Sequence, residues 1–484
     1  MTSQAELEAP SASTTVVNED SRTAKDLNRW VAVAMAATVA TAVMLIWGRG
    51  AATFDAMSSL AWGREIGGGG LPNYAIGPTP HPLSNLVAAI LSGFDRPDVA
   101  LLLLSYLSLG AAVVAIYDIA TQLAGRVAGV VAGALLVSRS AVLNTTSSAL
   151  LDIPYTALVL VAVAIGLRLG RPDRRVFLLL GVAGLLRPEA WFIAGFCWLW
   201  HVRGATRRQA AVAAAAVALA PMLWVLSDLA ATGNPLFSFA NTASAASGVT
   251  QLNHGLGAAL VDIPKAVIST AGSANFLAAA LGFVVLGVCD RRRAVLLLCA
   301  AAAVGIAVAV PVAAGTLASP RYVLVMTGLV CVYAGVAAAT VVRTGLPRSL
   351  RWSVTATAGL LLAVTVPAQA EMLQQQRVTR NEIRDSIAAA RSLATGPVPC
   401  GPLVIPGYRL RPYVSVWRGL DLDDVVIGTE GKDQPGTYLV GTPKASTNVT
   451  IAPGRENTVL TTPPRNAVLE GNVGGWQLYA NCGS

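Results

Sequence analysis

The chain has 484 residues, of which 54% are apolar and only 13% charged. A soluble domain carries about 25% charged residues, so one soluble globular unit is excluded. The net charge of +9 does not signal a nucleic-acid partner, because the basic residues fall in the breaks between apolar runs, where orientation rules place them.

Residues 1–28 are polar and Ser/Thr-rich and are expected to form a disordered cytoplasmic tail. The first apolar run, 31–48, follows Arg22, Lys25 and Arg29. It lies too deep in the chain for a signal-peptide core and reads as an uncleaved membrane anchor. Further runs follow at 98–116, 122–140, 152–168, 175–186, 188–202, 209–230, 274–290, 294–317, 321–342 and 352–369. At ~1.5 Å per residue such runs approach or cover a hydrocarbon core of ~30 Å. The sequence therefore predicts an all-α polytopic membrane domain over 29–370, with about eleven transmembrane helices. Between 175–186 and 188–202 the break is only Arg187-Pro188-Glu189, read as a tight turn at Pro188.

Charge sets the orientation. Alternate breaks carry Arg126, then Arg168, Arg171, Arg174 and Arg175, then Arg203, Arg207 and Arg208, then Arg291, Arg292 and Arg293, then Arg343, Arg348 and Arg351. The opposite breaks carry only Arg49, Arg64, Arg96, Arg139, Arg187, Lys265 and Arg321. This asymmetry predicts a multi-pass plasma-membrane protein with its N-terminus cytoplasmic and its C-terminal domain outside. Two outer loops, 49–97 and 232–273, are long. Helical spacing of apolar residues within them predicts interfacial helices near 55–65 and 256–270.

Composition changes near residue 371. A polar helix over 371–394 leads into short β-like runs at 402–406, 413–417, 424–428, 437–441, 448–452, 457–461 and 475–480, punctuated by Gly and Pro. Residues 371–484 thus read as a small β-rich extracytoplasmic domain. Cys400 and Cys482 bracket it and are expected to form a disulfide, which implies an oxidising compartment. Cys197, Cys289, Cys299 and Cys331 fall one to an apolar run and read as small core residues. Lysine occurs only at Lys25, Lys265, Lys432 and Lys444 against many arginines, a bias that suggests GC-rich, actinobacterial coding.

The chemistry-bearing residues gather at the outer breaks. Asp55 follows the first run; at an interface a carboxylate can act as a general base or ligate a metal, or be solvated only. Asp152 precedes the fourth run with Pro154, where capping a helix is an equal reading. Arg187 can hold an anion, or pair with Glu189. Arg321-Tyr322 opens another outer helix end, as an anion ligand or an interfacial pair. His81, in Thr79-Pro80-His81-Pro82, is an acid/base or ligand candidate. No HxH or HExxH is present, so a zinc site is not expected. Asp421, Asp423 and Asp424 mimic an acidic metal motif but read rather as a turn between strands. Gly67 to Gly70 lack the Lys-Ser/Thr of a phosphate-binding loop, which disfavours a nucleotide-sugar donor.

In order and spacing these elements resemble the GT-C superfamily of membrane glycosyltransferases, nearest to its dolichyl/polyprenyl-phosphate-mannose protein mannosyltransferase-like branch. The resemblance covers about 31–345. It rests on Phe54-Asp55, His81-Pro82-Leu83, Leu151-Asp152 with Pro154, Leu186-Arg187-Pro188-Glu189, Thr232-Gly233-Asn234-Pro235 with Phe237, and Arg321-Tyr322. It implies transfer of a sugar from a polyprenyl-phosphate-linked donor to a glycan, lipid or protein acceptor on the outer face. Asp55 would be the base of an inverting reaction. Asp152 would shape a pocket or bind a metal, and Arg187 or Arg321 would stabilise the leaving phosphate. Many relatives pair the first acid with a glutamate; here Ala56 follows, so a divalent cation held by Asp55 and Asp152 is open. A lipid or solute transporter, or a non-catalytic envelope assembly protein, is the alternative. In the C-terminal domain, Trp417, Trp476, Tyr408, Tyr413 and Tyr438 would stack on sugars or form its core.

Overall fold

The structure, a computed structural model, describes residues 13–247, 255–313, 318–342, 345–428, 434–445, 460 and 462–483. Every predicted apolar run holds a helix. α1 (Ser13–Trp47) enters with its membrane window at Arg29–Trp47, and the polar segment 13–28, expected to be disordered, continues it as helix. α2 (Phe54–Gly67) and α3 (Pro82–Leu91) occupy the long connection 49–97. α4 (Pro97–Ala124) runs longer than expected and ends at Gly125, whose φ of 86° lies in the region open to glycine. α5 (Arg126–Val137) and α6 (Ser140–Ser147) follow, bent by 63°. Next come α7 (Asp152–Leu169), α8 (Arg174–Gly184), α9 (Glu189–His201) and α10 (Arg207–Thr232).

The long connection 232–273 contains α11 (Phe237–Ser247), which the sequence did not announce, and α12 (Leu256–Ala271), which it did. α13 (Ser273–Cys289) turns 101° from α12. α14 (Arg291–Ala313), α15 (Leu324–Ala338), α16 (Arg348–Val364) and α17 (Val366–Ala394) complete the bundle and lead out of it.

Among the described residues seven helices are long and apolar enough to cross a membrane, or up to nine if each bent pair is one span. The expected eleven are reached only by adding α8 and α9. At 11 and 13 residues these fall short of a ~30 Å core at ~1.5 Å per residue. Leu219, Leu226, Val284, Val288, Leu360 and Val364 are exposed on the outside of the bundle, a surface suited to lipid rather than water. This is a multi-pass membrane protein.

α15 is the bundle's central helix, buried along nearly its whole length against α13, α5 and α4. Small residues permit these close crossings: a side chain on Gly282 would collide with the Tyr333 backbone, and one on Gly110 with Ala36. The arginine-rich ends collect at the far end of α4, where Arg168 holds Asp118 at 2.6 Å and Arg293 Nη1 donates to the Gln122 carbonyl at 2.8 Å.

The C-terminal unit is a five-stranded sheet of order β2-β1-β3-β5-β4. Its strands are β1 (Leu403–Ile405), β2 (Val426–Ile427), β3 (Gly436–Gly441), β4 (Val468–Val473) and β5 (Trp476–Asn481). β1 pairs parallel with β2 and β3; β5 pairs antiparallel with β3 and β4. The segment 413–417, read as a strand, is instead inside α18 (Arg411–Arg418). Pro412 in its first turn and Gly419 at φ 68° after its end are helix boundary signals, and they outweigh the β-branched residues between them. The expected run 448–452 and most of 457–461 lie outside the described residues, and β4 was not anticipated.

This unit sits on α2. Leu422 N–H donates to Glu65 Oε1 at 3.3 Å, Asn73 Nδ2 to Asp423 Oδ2 at 3.1 Å, and Arg64 to the Leu420 carbonyl. Cys400 and Cys482 form the expected disulfide across a separation of 82 residues. In the chain-entropy account a loop of that length contributes about 4–5 kcal/mol. Replacing both cysteines with serine should therefore unfold the sheet at a lower temperature while the helical bundle keeps its far-ultraviolet signal. Limited proteolysis reads this directly, and equal protease resistance of the two forms would refute it.

Candidate functional site

The helix ends that carry these charges converge on one centre. Asp55 is in the first turn of α2, Asp152 is the first residue of α7 and Glu189 the first of α9. Each carboxylate thus meets the positive end of a helix dipole, which accounts for its local position. Arg187 lies in the α8–α9 turn and Arg321 in the 3-10 turn Pro320–Val323 before α15. His81 stands immediately before α3 without a side-chain capping bond, and Pro82 lies in the first turn.

Two ion-pair groups result. Arg187 donates to Asp152, and bidentately to Glu189 at 2.6 and 3.2 Å. Asp152, Arg187 and Glu189 are 1%, 8% and 5% exposed. Arg321 Nη1 donates to Asp55 Oδ2 at 2.9 Å, and these side chains remain 33% and 35% exposed. The difference in exposure separates their roles: the first group is a sealed triad, the second an accessible pair. Tyr322 joins them, with the Arg187 guanidinium carbon 4.3 Å and that of Arg321 5.2 Å from its ring centre. Tyr155 lies under Arg187 at 5.7 Å.

His81 is tied to the same turn, since Leu83 N–H donates to the Leu185 carbonyl at 3.2 Å. Its ring meets Trp224 edge-on at 5.5 Å, and its Nδ1 is buried with no hydrogen-bond partner. Burial, seconded by the Arg187 charge and opposed by Asp55, pushes its pKa down to about 3. It is therefore neutral at pH 7. An unfolded histidine takes up a proton near pH 6.5, whereas the folded one resists to about 3. Proton binding by His81 thus has no effect on stability above pH 6.5, and destabilises progressively as pH falls from there toward 3. The apparent melting temperature of wild type should drop more steeply with acid across that window than that of His81→Gln. Parallel curves would contradict this.

All the sequence candidates Asp55, His81, Asp152, Arg187, Glu189, Arg321 and Tyr322 are thus brought together. The Thr232 to Phe237 motif is instead a helix end: Gly233 takes φ 72°, Asn234 Oδ1 accepts from Leu236 N–H at 3.0 Å, and buried Asp228 accepts from Ser238 N–H and Oγ. Of the C-terminal aromatics, Trp476, Tyr438 and Tyr413 are buried in the unit's packing. Sequence reasoning missed Tyr155, Trp224, and the contact of Phe54 with Tyr408 at 5.1 Å. Only Tyr155 carried a signal, three residues after Asp152 and hence on its helix face.

A divalent cation does not fit this arrangement. Asp55, Asp152 and Glu189 each already accept from a guanidinium. No group of three His, Cys, Asp or Glu able to hold a metal occurs among the described residues. Beside the triad lies an apolar groove of about 270 Å³, walled by Leu101, Leu104, Ala149, Leu151, Leu158 and Leu186 among others. Leu151 and Leu186 are the chain neighbours of Asp152 and Arg187, so hydrocarbon and charge meet at one end of the groove.

No protein-family model and no curated protein sequence matches the chain. Solved structures do. ArnT from Cupriavidus metallidurans bound to undecaprenyl phosphate is 15% identical, with a TM-score of 0.57 over 94% of this chain and 98% of that one. The archaeal oligosaccharyltransferase AglB from Archaeoglobus fulgidus, in complex with an inhibitory peptide and a dolichol-phosphate, is 12% identical. Its TM-score is 0.50, over 82% of this chain and 64% of that one. Both have the GT-C fold of membrane glycosyltransferases, and the chain shares that fold.

Proposed function

We propose that this GT-C-fold membrane protein transfers a sugar from a polyprenyl-phosphate-linked donor to a cell-envelope acceptor on the outer face of the plasma membrane. The observation that carries the reading is the accessible Asp55–Arg321 pair beside a sealed charge triad at the end of an apolar groove. The solved ArnT and AglB structures, which hold undecaprenyl phosphate and a dolichol-phosphate, support the choice of donor class.

Asp55 Oδ2 is held by Arg321, which leaves Oδ1 for the acceptor hydroxyl. Oδ1 takes the hydroxyl proton as the acceptor oxygen bonds to the anomeric carbon. The bond from that carbon to the phosphate oxygen breaks on the opposite face, and polyprenyl phosphate departs with both electrons. The anomeric configuration inverts. Arg321 is the cation for the charge that builds on the phosphate. Arg187 is saturated by Asp152 and Glu189, so it holds the two acids and orients Tyr322. The groove takes the first part of the donor's hydrocarbon chain.

Orientation follows from charge: the arginine-rich ends face the cytoplasm, and the disulfide-bonded unit lies outside. The test is to incubate purified protein with a panel of polyprenyl-phosphate sugars and measure released polyprenyl phosphate. Release from one donor establishes the class and names the sugar. Absence of release and of donor binding across the panel would favour transport or scaffolding.

A further inference from the structure

We infer that the C-terminal unit completes this site by contributing Arg409 as a ligand for the donor's lipid-linked phosphate, an inference that rests on the reading above. It begins from a charge balance. Arg187 and Arg321 face three carboxylates, Asp55, Asp152 and Glu189. With His81 neutral, the centre carries one net negative charge. A phosphate entering it would be repelled unless a further cation stands near, and that cation must not already be neutralised.

Arg409 meets this requirement. It forms no ion pair among the described residues, and its Nε is buried without a hydrogen-bond partner. Its guanidinium carbon lies 5.9 Å from the centre of the Phe54 ring, and Phe54 immediately precedes Asp55. The preceding residue, Tyr408, packs edge-on against the same ring at 5.1 Å. Four residues on, Tyr413 donates its hydroxyl to the Ala52 carbonyl at 2.8 Å. The turn 408–413 is thus pinned at both ends to the segment that presents Asp55.

Two further observations place charge and groove together. Burial pushes the Tyr413 hydroxyl up; Asp55 adds to the rise, while Arg409 and Arg380 oppose it, so Asp55 and Arg409 act on one buried atom. Leu101 and Ala149, which wall the groove, pack in the same apolar cluster as Phe54, Leu410 and Tyr413. A hydrocarbon chain in the groove would bring its phosphate between Arg321 and Arg409. A guanidinium suits that task, since it can present two N–H groups to one phosphate.

The test titrates purified full-length protein in detergent with decaprenyl phosphate, and separately with inorganic phosphate. Arg409→Gln should weaken decaprenyl phosphate binding by roughly tenfold to a hundredfold, the worth of a charge-assisted contact. Arg409→Lys, which keeps the charge, should recover most of the loss. Raising ionic strength on the wild type gives a check free of any variant, and affinity must fall. Wild-type affinity in a folded Arg409→Gln protein overturns the inference and leaves the donor reading standing. Arg409-dependent binding of inorganic phosphate without binding of decaprenyl phosphate overturns the lipid source and the proposed function together. No binding of either by wild type also overturns both.

Discussion

Asp55→Asn is expected to lower sugar transfer by about 10²–10⁴-fold, the usual contribution of a positioned general base, with the protein still folded. Asparagine keeps the shape and can still accept from Arg321, but cannot take the acceptor's proton. The pair it weakens is one-third exposed, and such pairs contribute only about 0–1 kcal/mol. Binding of polyprenyl phosphate should be unchanged or tighter, because one negative charge leaves the centre. A variant that binds the lipid and has lost turnover supports the assignment. Turnover near the wild-type rate would remove Asp55 from the mechanism.

Arg187→Met should have the opposite signature, a loss of stability ahead of any kinetic effect. It strands Asp152 and Glu189, which are 1% and 5% exposed, without their guanidinium. Breaking a buried pair on one side costs about 3–5 kcal/mol, since the remaining charge has no compensation. A lower melting temperature and a smaller monodisperse fraction in detergent are the readouts. Adding Asp152→Asn and Glu189→Gln to the same protein removes the stranded charges and should restore much of the stability. If Arg187→Met alone melts like wild type, the triad does not stabilise the fold. Arg321→Gln is the internal contrast, because its partner Asp55 is one-third exposed and the substitution should leave the fold intact.

The membrane region was legible because hydrocarbon imposes a long, strong pattern on sequence: each apolar run became a helix. The crossing count was less legible. Apolarity alone does not say whether Arg126–Val137 with Ser140–Ser147 is one span or a bent pair, and α8 and α9 are apolar yet short. Asp55, Asp152, Arg187 and Arg321 could be singled out because a charge at the end of an apolar run is unusual. Their pairing could not, since Asp55 and Arg321 lie 266 residues apart and no local spacing encodes that contact. Arg409 was invisible for the same reason, and also because a lone arginine in a polar domain carries no signal. The segment 413–417 misled because Tyr, Val and Trp favour strands, while its boundary residues, Pro412 and Gly419, decided for helix.

The two charge groups also differ in when they can form during synthesis. Arg187 follows Asp152 by 35 residues and precedes Glu189 by two, so the triad can be neutralised almost as soon as it is made. Asp55 waits 266 residues for Arg321, and Ala52 waits 361 for Tyr413. At ribosomal rates of about 5–20 residues per second, those intervals are roughly 10–70 s. The nascent protein therefore carries Asp55 unpaired for most of its translation, and the cation that pairs with it arrives late. A chain stalled before residue 321 would hold a paired triad beside an unpaired Asp55, which separates helix assembly from completion of the charge cluster.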